Sequence, residues 1–252
     1  MVEPGGPEID PHRIAGIRTL AAGRRNGRDG MMCAMEAVAH LAGEPASDRP
    51  DCASPTLAAF VRTWSDGLPQ DERDGLILPL LPLLVGTRGS EALERRRGGM
   101  VTDWLIRTHL PAWFHLAKLN VEADVLAGLP EIRAVSDLAA LCDHLKRART
   151  RAAIANLTLR QTGSFVRTAA WDAAHRAAWT AIQDQVEAAG GAILAALWDA
   201  ANAAAYAAAR ASGKASLEPT RRILQDSARA LIERLIAAGD GRPDVSAPHP
   251  RP

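Results

Sequence analysis

The spacing of hydrophobic residues along the chain predicts an all-α fold. Apolar positions recur every three or four residues, whereas the strict alternation of apolar and polar residues that is typical of strands is missing. One helix is expected to begin at the capping pair Ser54-Pro55. Its buried stripe would consist of Leu57, Phe60, Val61 and Trp64. Together with the neighbouring segments, this pattern predicts a compact helical core over residues 30–130.

The helix predicted from Asp137 to about Leu159 has two different sides. Its apolar side consists of Leu138, Leu141, Leu145, Ala148 and Ala152. Its other side is basic and consists of Lys146, Arg147, Arg149 and Arg151. A solvated face is the simplest interpretation of such a basic run, and contact with an acidic partner is the alternative.

Alanine dominates the rest of the second half of the chain. Helices are predicted for Phe165–Ala189, Ala192–Ser212 and Pro219–Ala238, and the sequence Trp-Asp-Ala-Ala occurs at 171–174 and again at 198–201. Because alanine surfaces allow helices to approach closely, residues 136–238 are expected to form a helical bundle or hairpin. A disordered arm is predicted for residues 1–29, and a disordered proline-rich tail for residues 239–252.

The charge balance excludes strong general attraction to polyanions. The chain has 30 Lys and Arg against 29 Asp and Glu, so its net charge is +1. DNA or RNA is therefore not an expected partner, and binding to either would require a local patch. The candidate arginines for such a patch are Arg24, Arg25, Arg28 and Arg95–Arg97.

Apolar runs and cysteines indicate the environment of the chain. The longest strongly apolar run, Leu76–Val85, contains two prolines and is half as long as a bilayer span, so no membrane contact is expected. The first residues lack the pattern of a signal peptide. Three cysteines are too few for a disulfide scaffold. These observations predict a soluble cytoplasmic protein.

Candidate chemistry is concentrated in residues 31–52. In a helix, Cys33, Glu36 and His40 would share one face, because spacings of three and four residues return to the same side. With Cys52 as a fourth ligand they would hold a metal, zinc being possible, and Asp48 would be a further ligand or base. Alternatively, Cys33 would be a nucleophile with His40 as its base, or the cluster would be structural, with Cys33 buried.

The structural interpretation is favoured for this helix. Zinc sites usually contain paired ligands at short spacing such as Cys-x2-Cys, which is missing here. We expect Asp29 to cap the helix and Gly43 to end it. The opposite stripe, expected to be buried, consists of Met31, Met35, Val38 and Ala42.

The motif over residues 33–52 resembles one found in a group of actinobacterial and actinophage proteins. It consists of Cys33, Met35-Glu36, Leu41-Ala42-Gly43-Glu44-Pro45, Ser47-Asp48, Pro50 and Cys52. The likeness continues at Leu84–Gly89, Asp103–Leu105, Pro111–Trp113, both Trp-Asp-Ala-Ala repeats, Pro219-Thr220 and Leu224–Ala228. Members of the group often have histidine in place of Arg49, which removes one possible metal ligand here. The resemblance implies a family and no particular activity.

Two functional hypotheses follow, together with a weaker third. The first is a non-catalytic helical protein that self-associates or binds a protein partner through its alanine-rich helices. The alternative is a metal-dependent enzyme or metal-binding protein that uses Cys33, Glu36, His40 and Cys52. The third and weakest is nucleic-acid binding through the arginine patch.

Overall fold

The computed structural model describes residues 9–25, 30–160, 177–183 and 214–239. In these ranges the chain is helical without a sheet, and an isolated parallel bridge joins Leu20 to Met32. The helices are α1 Pro11–Ala15, α2 Ala34–Ala42, α3 Pro55–Gly67, α4 Gln70–Ile77, α5 Leu81–Leu84, α6 Glu91–Trp104, α7 Leu110–Leu116, α8 Asn120–Ala127, α9 Leu138–Arg160 and α10 Lys214–Ala237. The predicted all-α fold is confirmed.

Shorter helical turns connect some of these helices, and residues 177–183 are also helical. A 3₁₀ turn, Leu78–Leu80, joins α4 to α5, and another, Val135–Asp137, precedes α9. A π-helical segment, Leu105–His109, joins α6 to α7. None of the helices in the described part of the chain combines the length and the apolar character needed to cross a bilayer.

Helix α3 forms as its sequence predicts. The Ser54 hydroxyl accepts a hydrogen bond from the Leu57 amide at 3.3 Å, and proline occupies the first turn, where its missing N–H costs nothing. The apolar stripe of α3, consisting of Leu57, Phe60, Val61 and Trp64, is completely buried. Burial of this stripe holds α3 against α2 and α6.

Residues 9–25 differ from the predicted disordered arm, because they pack on the core. The amide of Leu20 donates to Asp74 Oδ1 at 2.8 Å, and its carbonyl accepts from Gln70 at 2.8 Å. The Gly23 amide donates to Asp66 Oδ1 at 2.7 Å. Leu20 is buried, and its backbone N–H and C=O groups both find partners on α4.

Helix α10 packs on the N-terminal core. Trp104 Nε1 donates to Ser227 Oγ at 2.7 Å, and Arg221 Nη2 donates to Glu72 at 2.8 Å. Buried residues of both halves belong to one hydrophobic cluster. The predicted helices Phe165–Ala189 and Ala192–Ser212 lie mostly outside the described residues, as does the tail after Gly239.

The paired glycines of α6 allow a close approach of the chain. Glycine inside a helix costs about 1 kcal/mol relative to alanine, yet α6 continues through Gly98-Gly99 to Trp104. A Cβ atom on Gly99 would lie 2.0 Å from the carbonyl oxygen of Arg133. A side chain at position 99 is therefore excluded sterically, and its absence lets residues 132–134 lie directly on α6.

Candidate functional site

The predicted Cys/Glu/His motif lies at the start of α2. Cys33 is the N-cap residue rather than part of the helix, and Glu36 Oε2 accepts a hydrogen bond from the Cys33 amide at 2.9 Å. This hydrogen bond gives the backbone N–H of the N-cap residue a partner, which the helix itself does not provide. The predicted cap Asp29 lies outside the described residues. The predicted end is confirmed, since Gly43 is left-handed with φ of 75°.

Glu36 is committed to backbone donors within the protein. Its two carboxylate oxygens also accept from the Arg25 amide at 3.1 and 3.2 Å. The side chain is buried, so these hydrogen bonds replace the water that a free carboxylate would bind. Glu36 thereby connects residue 25 of the N-terminal segment to the beginning of α2.

The Cys33 thiol is buried and protonated at neutral pH. Only 2% of the residue is exposed. Burial is the largest cause that raises its pKa, to about 11, and the nearby Glu36 charge raises it as well. Because the thiolate is the reactive form, Cys33 is a poor nucleophile and a poor metal ligand in this state.

His40 does not share the environment of Cys33 and Glu36. It is exposed, whereas Cys33 and Glu36 are buried together with Met35 and Val38. The carbonyl oxygen of His40 accepts from Arg13 at 2.9 Å. The expected division of α2 into one buried stripe and one chemical face is therefore wrong, because most of the helix is buried on both sides.

Cys52 and Asp48 each have separate local contacts. Cys52 is half-buried, and burial followed by the Glu44 charge raises the pKa of its thiol. Its carbonyl oxygen accepts from the Arg88 amide at 3.0 Å. The Asp48 carboxylate lies 3.8 Å from Arg24. All three cysteines are free thiols, so Cys33 and Cys52 are not bridged.

No metal-type cluster occurs among the described residues. Within these ranges, no three His, Cys, Asp or Glu side chains lie together as they would around a metal ion. The predicted ligands Cys33, Glu36, His40 and Cys52 all belong to the described part of the chain. Within the described residues, no assembled group of ligands therefore supports the metal hypothesis.

The predicted arginine patch is divided between several environments. Arg95 pairs with Glu91, and the buried Arg97 pairs with Glu94 and donates to the Leu235 carbonyl at 2.9 Å. Arg28 lies outside the described residues. The paired Arg95 and Arg97 therefore contribute little attraction to phosphate backbones.

A groove that was not predicted from the sequence lies between α8 and α9. This α8–α9 groove has a volume of about 390 Å³. Its lining residues are Val121, Glu122, Val125, Leu126, His144, Arg147 and Ala148. Val121 is 73% exposed and Val125 is 45% exposed, although both are apolar. The sequence clue was their spacing of four residues, which places both on one side of α8.

Basic side chains border the α8–α9 groove. The adjoining hollow of about 370 Å³ is lined by Lys146, Arg147, Thr150, Arg151 and Glu122. Arg151 donates to Glu122 at 2.9 Å. The predicted two-sided character of α9 is confirmed, since its apolar stripe is buried and all four basic residues of its other side are exposed.

Comparison of the chain with family models, with curated proteins and with solved structures found no match. These comparisons leave the resemblance of residues 33–52 to actinobacterial and actinophage proteins as a prediction.

Proposed function

We propose that the protein is a non-catalytic interaction protein that self-associates. In this proposal, the α8–α9 groove of one copy accepts an acidic, alanine-rich helix of a second copy. The observation that carries it is the exposure of Val121 and Val125 beside a groove bordered by basic residues. Apolar residues grouped around a concave surface are typical of binding sites.

Covering the two valines supplies the apolar part of the binding free energy. Complete burial of a valine side chain stabilises by about 1.5 to 3 kcal/mol relative to exposure. Val121 and Val125 lie one helical turn apart, so a single helix laid along α8 contacts both. Alanine on that helix lets its backbone approach closely.

The charges on α9 favour an acidic occupant. Lys146 and Arg147 are exposed, and neither forms an ion pair with a carboxylate within the described part of the chain. An acidic helix gains attraction along this border, whereas a basic helix is repelled. These charges argue against a symmetric contact of α9 with α9 of the partner, because like charges would then meet.

The chain itself contains a matching acidic sequence. Residues 184–212 include Asp184, Glu187 and Asp199 but one basic residue, Arg210. Leu194 and Trp198 lie four positions apart there, as expected for the apolar side of a helix. This stretch lies outside the described residues, and its part in the proposal rests on its sequence.

Light scattering coupled to size exclusion tests self-association directly. We expect the 26.8 kDa chain to form dimers or larger species as its concentration rises, and to dissociate as salt increases. The double variant Val121→Ser, Val125→Ser should remain monomeric. A matched control is Ile223→Ser, which changes an apolar residue on α10 that is 64% exposed and distant in sequence from the groove.

A synthetic peptide of residues 184–212 tests the identity of the occupant. It should bind the wild-type chain and bind the double valine variant much more weakly. A peptide in which Asp184, Glu187 and Asp199 are replaced by their amides should also bind weakly. A chain that is monomeric at every concentration, or whose association survives the double substitution, would overturn the proposal.

A further inference from the structure

Another pocket lies where α6, the segment 131–133 and α10 meet. It has a volume of about 460 Å³, within the range of small-molecule sites. Three arginines line it: Arg96 from α6, Arg133 from the connecting segment and Arg234 from α10. These residues are far apart in the sequence, and the fold brings them to one concave surface.

The two carboxylates of this pocket already have partners within the protein. Asp103 Oδ1 accepts from Arg107 at 3.0 Å and from the Ile132 amide at 2.9 Å. Glu131 accepts from Arg133 Nε at 3.1 Å. Asp103 and Glu131 therefore bind other groups, and neither forms an ion pair with Arg96 or Arg234.

Arg96 and Arg234 differ from the other arginines on their helices. On α6 and α10, the neighbours pair with acids three or four residues away, as in Arg95–Glu91, Arg97–Glu94 and Arg229–Glu233. The same spacings from Arg96 lead to Ala92, Leu93, Gly99 and Met100, and those from Arg234 lead to Ala230, Leu231, Ala237 and Ala238. Within the described ranges, neither guanidinium forms an ion pair.

We propose that this pocket binds a small organic phosphate, held by Arg96 and Arg234. Two positive guanidinium groups match the charge of a phosphate monoester dianion, and their planar N–H donors match its oxygens in paired hydrogen bonds. Met100, which is half-buried at the pocket, provides apolar contact for the organic substituent. The site shares no residue with the α8–α9 groove, so it is independent of the proposed self-association.

Calorimetric titration with phenyl phosphate at fixed ionic strength tests the proposal. We expect saturable binding that is weakened about tenfold or more by Arg96→Gln or by Arg234→Gln. Arg95→Gln is the matched control, because Arg95 is an exposed arginine of the same helix that does not line the pocket. Inorganic phosphate should bind more weakly than phenyl phosphate, since it lacks the apolar substituent.

Three results would overturn this inference. One is the absence of saturable binding, and another is equal weakening in the Arg95→Gln control, which would indicate general charge attraction. The third is equal affinity for inorganic phosphate and phenyl phosphate, which would contradict an organic ligand. Urea unfolding of each variant verifies folding, and exposed positions 96 and 234 should change the midpoint little.

Discussion

Helices α2 and α9 use their polar residues in opposite ways. The two residues at the start of α2 that are suited to catalysis or metal binding, Cys33 and Glu36, are buried, and the Glu36 carboxylate accepts a hydrogen bond from the Cys33 amide. On α9 the residues with ordinary chemistry, such as Lys146 and Arg147, are exposed at a groove. Cys33 and Glu36 of the α2 cap therefore belong to the interior, whereas basic residues of α9 border the candidate binding surface.

Met35→Ala should have the largest effect on stability, because it truncates a side chain of α2 that is completely buried. Met35 is fully buried between neighbouring helices, so truncation leaves a cavity. We expect the free energy of unfolding to fall by about 2 to 5 kcal/mol, measured by urea titration. A loss below about 1 kcal/mol would contradict the described packing of α2.

Glu36→Ala should come next in size. The substitution removes the acceptor for the amides of Cys33 and Arg25, in a place where water does not replace it. We expect a loss of about 2 to 3 kcal/mol in the free energy of unfolding. Glu36→Gln keeps one oxygen acceptor and should cost less. Equal losses in both variants would show that the cap hydrogen bonds contribute nothing.

Alkaline pH should destabilise the wild-type protein through Cys33. The pKa of its thiol is raised from 9.0 to about 11 in the folded state. The contribution of the protonated thiol to the free energy of unfolding is therefore complete below pH 9 and is lost as pH rises through 11. By pH 11 the loss reaches about 2 kcal/mol, since each pKa unit corresponds to about 1.4 kcal/mol. The comparison is with Cys33→Ala, whose stability should fall less over the same interval. Parallel curves would refute a buried thiol.

Lys146→Gln should have the smallest effect on stability and a clear effect on association. The side chain is exposed on α9, so the free energy of unfolding should change by less than about 0.5 kcal/mol. The proposed self-association, followed by light scattering, should weaken because the groove loses a positive charge. A large change in stability would mean that the basic side of α9 supports the fold itself.

The sequence predicted α9 well and α2 poorly for the same physical reason. Helical periodicity reveals which side is buried when one side meets water, as with Leu145 and Lys146 on α9. On α2, Ala34, Ala37 and Ala39 are buried along with the large residues, so periodicity does not distinguish the sides. Small residues allowed this helix to be enclosed.

Contacts between distant residues account for the remaining differences. Residues 9–25 have a loop-like composition, yet Leu20 bonds to Asp74 across more than fifty positions. The Arg96, Arg133 and Arg234 pocket was missed because only the fold brings its members together. The one local clue was the lack of acidic residues at helical spacing from Arg96 and Arg234.

The packing of α10 on the core affects when folding can be completed during synthesis. Buried Arg97 donates to the Leu235 carbonyl, a partner 138 residues further along the chain. Until the ribosome has released that partner, the guanidinium lacks one of the acceptors that compensate for its burial. The N-terminal helices therefore remain incompletely assembled until residues 214–237 have been synthesised, and a chain terminated before α10 should be a substrate for proteases rather than a smaller stable protein.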